Sequence, residues 1–266
     1  MNELLSLSIS AALKAGKEIL KVYKNDFSVE TKTDNSPLTL ADQLAHNAIK
    51  EVLNTTKFPQ LSEEGKQISY DERKNWKTFW LVDPLDGTKE FIKKNGEFTV
   101  NIALIENGIP LMGVVYIPVM GRLYYGAENI GSYCVNLPVI DQTTIDFNII
   151  NKHAIKLPCI NNSSTYTIVA SRSHSTPETE KFIEEKKAVY GETKLISSGS
   201  SIKLCLVAEG KAQVYPRLAP TMEWDTAAGQ AVAKYAGCKV YDYNTKEELV
   251  YNKENLLNPW FVVERI

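Results

Sequence analysis

The stretch WLVDPLDGT, residues 80–88, sets two carboxylates, Asp83 and Asp86, three positions apart on what reads as a tight turn. An apolar run delivers Asp83, Pro84 takes the chain out of regular pairing, Gly87 permits close backbone approach, and Thr88 stands where a short helix would begin. Two carboxylates cannot both face one small cavity as bare anions, because like charges there repel strongly. A hard divalent cation resolves the repulsion, and carboxylate oxygens are what magnesium prefers. A polar turn with Asp86 as a helix cap would account for the same residues without any metal.

Other acids stand elsewhere in the chain. Leu61-Ser62-Glu63-Glu64-Gly65 puts two carboxylates just past an apolar residue, an arrangement that also suits a solvated charge pair. Trp224-Asp225-Thr226 opens an Ala-rich stretch, where Asp225 fits a helix N-cap equally well. Asp42 follows TDNSPLTLA and could simply face solvent from a helix.

The elements that must position these groups are legible from periodicity. Residues 3–24 carry apolar side chains at helical spacing and end near Asn25, and Thr39–Leu53 is helical again, with Thr39 or the loop before it supplying the start. A polar, disordered-looking segment runs to Lys77, and TFWLVDP reads as a short buried strand stopped by Pro84. FTVNIALIENG and PLMGVVYIPVMGRLYYGA are expected as two antiparallel strands turning at Gly108-Ile109-Pro110. Residues 141–163 are polar and pattern-poor. Strands and helices then alternate, with strands at Tyr166–Ala170, Thr193–Ile196, Ala212–Tyr215, Lys239–Tyr243 and Phe261–Val263, and helices at Pro177–Lys187, Ser200–Glu209 and Asp225–Tyr235. This pattern predicts an α+β or α/β protein in two halves, 1–135 and 136–266, the first carrying most of the acidic motifs.

The chain has 266 residues, 30 basic and 32 acidic, for a net charge of −2. No global field would recruit nucleic acid or anionic lipid, so any phosphate-binding charge must be local. With only five arginines, at 73, 122, 172, 217 and 265, two of them falling in candidate site motifs carries weight. The four cysteines are widely spaced, with no CxxC and no histidine at ligand spacing, which suits reduced thiols in a cytosolic protein. The N-terminal segment reads as an amphipathic helix rather than a leader, and no apolar run approaches the ~18 residues of a membrane span.

Taken together, the motifs resemble the inositol monophosphatase superfamily of lithium-sensitive, magnesium-dependent phosphatases. Glu-Glu after an apolar residue, D-P-L-D-G-T and W-D-x-A-A-G occur here in that family's order. More narrowly, DNSPLTLAD (34–42), LSEEG (61–65), GTKEFIKKNGEFTVNIAL (87–104), SRSH (171–174), GSSIKLCLVAEG (199–210) and YPR (215–217) are similar to the bisphosphate nucleotidase branch of that superfamily. The resemblance implies the layered αβαβα sandwich of sugar phosphatases, with the site between the two halves. It implies two or three Mg2+ ions held by Glu63, Asp83, the Leu85 carbonyl, Asp86 and Asp225, with Glu64 outside them. Thr88 and Asp42 are implied as the hydroxyl–carboxylate pair that orients and deprotonates the attacking water. Gly87, His174, Ser200, Lys203 and Arg217 are implied near the substrate, together with Glu63, Asp86, Thr88 and Asp225.

The substrate so implied is a small nucleotide bisphosphate, 3'-phosphoadenosine 5'-phosphate, losing its 3'-phosphate. A sister activity on inositol monophosphate or a sugar bisphosphate would use the same acids. An aspartyl-phosphate phosphatase needs aspartates one residue apart, and Asp83 and Asp86 are three apart. A dead nucleotide-binding regulator would be expected to lack Asp83, Thr88 or Asp225. The expected compartment is the cytoplasm, with loose association with the inner face of the membrane and oligomeric state left open.

Overall fold

The computed structural model describes residues 1–25, 29–31, 37–137, 147–159, 165–171 and 176–266. Helix α1 (Asn2–Tyr23) buries Leu5, Ile9, Ala12, Leu13 and Ile19, the three-and-four spacing of its sequence. After the short antiparallel ribbon of β1 (Val29–Thr31) and β2 (Pro37–Thr39), α2 (Leu40–Leu53) packs beside α1 and buries Ala41, Ala45 and Ile49.

The two helices cover one face of a seven-stranded sheet. In spatial and chain order its strands are β3 (Gln60–Ser62), β4 (Thr78–Asp86), β5 (Thr99–Glu106), β6 (Ile109–Ile117), β7 (Arg122–Ala127), β8 (Gly131–Asn136) and β9 (Ile155–Lys156). Only the β3–β4 pair is parallel. Helices α3 (Tyr70–Arg73), α4 (Thr88–Ile92) and α5 (Phe147–His153) are short interruptions.

The second sheet has the order β11-β10-β12-β14-β13. It is built from β10 (Tyr166–Ser171), β11 (Thr193–Ser198), β12 (Val214–Arg217), β13 (Cys238–Asp242) and β14 (Phe261–Arg265). Helix α6 (Pro177–Tyr190) covers its outer side through Phe182 and Ile183. Between the sheets lie α7 (Ile202–Glu209) and α8 (Glu223–Tyr235). The layers therefore run helix, sheet, helix, sheet, helix, the expected αβαβα sandwich. No described helix is long and apolar enough to cross a membrane.

Two small residues bring α8 down onto the first sheet. A Cβ at Gly113 would collide with the Ala228 carbonyl, and one at Gly126 would lie 2.8 Å from the Ala231 carbonyl. Backbone-to-backbone contact of this kind places the first turn of α8, with Asp225, against the rim of β4.

Four local expectations need correction. Pro84 does not stop β4, which runs on to Asp86. Instead the register shifts, with Asp83 opposite Asn101 and Asp86 opposite Thr99, so three steps on β4 match two on β5. That is a β-bulge, and proline tolerates it because no ladder donor is required there. The run from Pro110 to Ala127 is two strands rather than one, because the 3₁₀ turn Pro118–Met120 and Gly121 at φ 59° reverse the chain. The segment before Lys77 is ordered. It contains α3, and Arg73 there is 3% exposed. Its guanidinium donates to Asn252 Oδ1 and to the carbonyls of Lys253 and Glu254 at 2.7–2.9 Å. Finally, the pattern-poor stretch after residue 140 supplies α5 and β9, so the first sheet takes its last strand from beyond residue 135.

Candidate active site

Side chains alternate across a strand, so residues three apart would normally face opposite sides. The bulge in β4 cancels that alternation and lets Asp83 and Asp86 line one cavity. Asp83 is 1% exposed and accepts the Leu85 N–H at 3.0 Å. Asp86 accepts the Ser201 N–H at 2.6 Å and Asn101 Nδ2 at 3.5 Å. Glu63 follows β3, held in place by its own N–H donating to the Val82 carbonyl at 3.1 Å.

Asp225 is not an N-cap. It sits three residues inside, its Oδ2 accepting the Met222 N–H at 2.8 Å. Asp42 holds the same place in α2, its Oδ2 accepting both the N–H and the hydroxyl of Thr39 at 2.8 and 2.6 Å. Each carboxylate thus spends one oxygen on its helix start. Asp42 offers its other oxygen, Oδ1, to the Thr88 hydroxyl at 3.3 Å, and that hydroxyl also lies 3.4 Å from the Leu85 carbonyl.

Carboxylate oxygens from Glu63, Asp83 and Asp225 come within 4.8 Å of one another. Burial, then Glu63, Asp86 and Asp225, push the Asp83 carboxyl well above its usual range. Burial, then Asp86 and Glu63, do the same to Asp225. Asp86 is raised to about 6, with burial the main cause and the Lys203 ammonium and Ser201 N–H opposing it. Acids converging with so little countercharge are unfavourable as bare anions, and this cluster of hard oxygen donors fits a hard divalent cation.

The same cavity, about 280 Å³, is lined on its other parts by Ser200, Lys203, Tyr215 and Arg217. Lys203 is 4% exposed; its ammonium donates to the Ser200 carbonyl at 2.5 Å and lies 5.4 Å from the Tyr215 ring centre. Burial lowers its pKa to about 8, against the Asp86 carboxylate, which raises it, while Arg217 lowers it further. Tyr215 packs edge-on against Phe261 while lining the cavity. Gly87 has φ 95°, a conformation that favours glycine, and a Cβ there would sit tightly, 3.2 Å from the Glu97 carbonyl and 3.3 Å from Ser200 Cβ. Ser171 lines the cavity, whereas Arg172 and His174 lie outside the described residues. Glu64 is half-buried and outside the converging acid group.

Sequence reasoning missed Thr99, Asn101 and Ser201. The Ser201 hydroxyl lies 2.8 Å from Thr99 Oγ1 and 2.7 Å from Asn101 Oδ1. The signal was present: Thr99 and Asn101 are polar, two apart, in a strand buried along nearly its whole length.

Comparison with known proteins settles the lineage. The sequence profile of the inositol monophosphatase family matches residues 1–261. The chain belongs to the inositol monophosphatase family. The 3'(2'),5'-bisphosphate nucleotidase CysQ of Escherichia coli strain K12 is 44% identical over 256 residues, 95% of this chain and 96% of that one. The crystal structure of CysQ from Bacteroides thetaiotaomicron, itself described as a bacterial member of the family, superposes with a TM-score of 0.91 at 53% identity, covering 99% of this chain and 97% of that one. The extragenic suppressor protein suhB from Bartonella henselae shares the family fold at a TM-score of 0.75 and 22% identity, over 99% and 94% of the two chains.

Proposed function

We propose that this member of the inositol monophosphatase family is a Mg2+-dependent 3'(2'),5'-bisphosphate nucleotidase, converting 3'-phosphoadenosine 5'-phosphate to AMP and phosphate. One observation carries the substrate choice beyond the relatives' names. Arg217 Nε and Ser200 Oγ are buried without a hydrogen-bond partner among the described residues, and both residues line the acid-rich cavity. Unpartnered buried polar atoms are unfavourable, and an anionic group supplying acceptors would satisfy them. A nucleotide bisphosphate carries a second phosphate that is not cleaved, and Arg217 with Lys203 provides local charge that the net −2 of the chain does not.

In this reading Glu63, Asp83, the Leu85 carbonyl, Asp86 and Asp225 hold two or three Mg2+ ions. When bound, the metals neutralise charge on the phosphate and make water more acidic. Thr88 accepts a hydrogen bond from the attacking water while donating to Asp42, and the proton leaves toward this pair. Thr39 keeps Asp42 fixed as it does so. Because phosphoryl transfer passes through a loose transition state, positioning and charge matter more than a protein nucleophile. The four free cysteines suit a reducing cytoplasm, where we place the enzyme.

Phosphate release across nucleotide bisphosphates, inositol monophosphate and sugar bisphosphates, with and without Mg2+, tests the assignment. Arg217→Ala should lower kcat/KM for 3'-phosphoadenosine 5'-phosphate by a factor of about 10 to 150, the usual loss of a charged hydrogen-bonding partner. Hydrolysis of a small monophosphate should barely change. Equal losses on both substrates would contradict a role in holding the second phosphate, and a wild-type preference for inositol monophosphate would favour the sister activity.

Lys203 adds a pH signature. Its charged form is disfavoured by burial, so it is lost as pH rises through about 8. KM for the bisphosphate should therefore climb between pH 7 and 9 while Lys203→Arg, which stays charged, holds a flatter profile. Identical profiles for the two proteins would remove Lys203 from substrate binding.

A further inference from the structure

The loop Gly199–Ser201, between β11 and α7, lines the cavity on one side and is gripped on the other by residues spaced two apart before and within β5. Glu97 Oε2 accepts the Gly199 N–H at 2.8 Å. Thr99 and Asn101 hold the Ser201 hydroxyl, and Asp86 takes the Ser201 N–H. Ser200 lies between these two anchored neighbours at φ 43°, a left-handed conformation that a serine keeps only when its surroundings impose it. The fit is close: a Cβ at Gly199 would stand 2.8 Å from the Glu97 carbonyl and 2.9 Å from Glu90 Cγ.

We propose that Glu97 is a positioning residue: by fixing the Gly199 amide it holds one loop in the shape that both supports the Asp86 carboxylate and presents Ser200 and Lys203 to an anionic substrate. The proposal rests on the phosphatase reading for the identity of that substrate. A carboxylate here opposes an incoming phosphate but favours the Lys203 ammonium, so its charge acts in both directions. Its value is reach and a strong acceptor for a backbone N–H. The loop meets the cavity through Ser200 and the acid group through the Ser201 N–H on Asp86.

Reach and charge can be separated by substitution. Glu97→Gln keeps the reach and an acceptor but no charge, Glu97→Asp keeps the charge one methylene short, and Glu97→Ala keeps neither. KM, kcat and half-saturating Mg2+ are measured for each on whichever phosphomonoester the wild type hydrolyses best. Calorimetric titration of Mg2+ into the substrate-free proteins gives metal affinity independently of turnover. Glu97→Ala and Glu97→Asp should raise KM about tenfold or more and weaken Mg2+ binding several-fold, with kcat at saturation within about threefold of wild type, as loss of a charge-assisted hydrogen bond implies. Glu97→Gln, whose neutral amide oxygen keeps the reach but is a weaker acceptor, should be impaired on each measure by less than Glu97→Asp. If alanine does not fold, the Asp and Gln variants decide alone. Unchanged KM and Mg2+ affinity in Glu97→Asp, or a Gln variant as impaired as the Asp variant, overturns the proposal. Failure of the wild type on 3'-phosphoadenosine 5'-phosphate would instead show in the substrate panel, and would leave the Glu97 comparison intact on the substrate found.

Discussion

Asp83→Asn is expected to remove turnover while making the metal-free protein more stable. Asp83 is the most enclosed of the converging acids, 1% exposed, and its carboxyl is raised by burial and by Glu63, Asp86 and Asp225 together. If Asp83 holds metal as proposed, losing this anionic oxygen donor should cost at least about three orders of magnitude in kcat at saturating Mg2+. Retention of more than about a tenth of wild-type kcat would contradict its place among the metal-holding acids. The stability arm has the opposite sign. An acid whose folded pKa lies above its unfolded value weakens the folded state once pH exceeds the unfolded value, and the loss grows until the folded pKa is passed. Wild-type protein in chelator should therefore melt higher near pH 5.5 than at pH 7.5. Asp83→Asn should raise the pH 7.5 midpoint, flatten this dependence and lose the stabilisation that Mg2+ gives the wild type. A melting profile that ignores both pH and the substitution would mean the acids are already compensated by the protein.

Thr88→Ala should behave differently, with Mg2+ affinity nearly unchanged and kcat reduced by roughly 10²–10⁴-fold, the range for loss of proton-transfer assistance. Thr88 and Asp42 come from elements 46 positions apart, and the hydroxyl reaches Asp42 Oδ1 at 3.3 Å. If the two act as one relay, Asp42→Asn should cost about as much, and the double variant little more than either alone. Additive losses would separate them, and a change confined to KM would make Thr88 a substrate contact. Asp42 also accepts two hydrogen bonds from Thr39, so its variant should show a lower melting midpoint that Thr88→Ala lacks.

Much of this was readable from local chemistry, because helices and strands declare themselves through periodicity. The spacing in α1 and α2, the alternating strands and helices after residue 165, and the acids at 63, 83, 86 and 225 are all local features. A net charge of −2 called for some local phosphate-binding cation, and the family resemblance, not the charge, pointed to Lys203 and Arg217. Family motifs then linked the separate acids, since each alone had an equally good explanation as a cap or a solvated charge.

What the linear chain left undecided is geometry between distant segments. That Asp83 and Asp86 share one cavity depends on a register shift against β5, invisible without the partner strand. From their neighbours alone, Asp225 fits a helix cap as well as a ligand, and Asp42 fits a solvent-facing helix position. The structure shows one oxygen of each held at its helix start, which leaves the other oxygen for the site. Arg73 looked like one charge in a polar stretch, yet it is buried against carbonyls some 180 residues later in the chain. Glu97 gave no sign in sequence, because its partner is a backbone N–H that any residue but proline could supply. Periodicity and motif are properties of neighbours along the chain and can be read from it. Convergence of charge and burial of a polar group depend on the packing of two sheets around α7 and α8, and only that packing determined them.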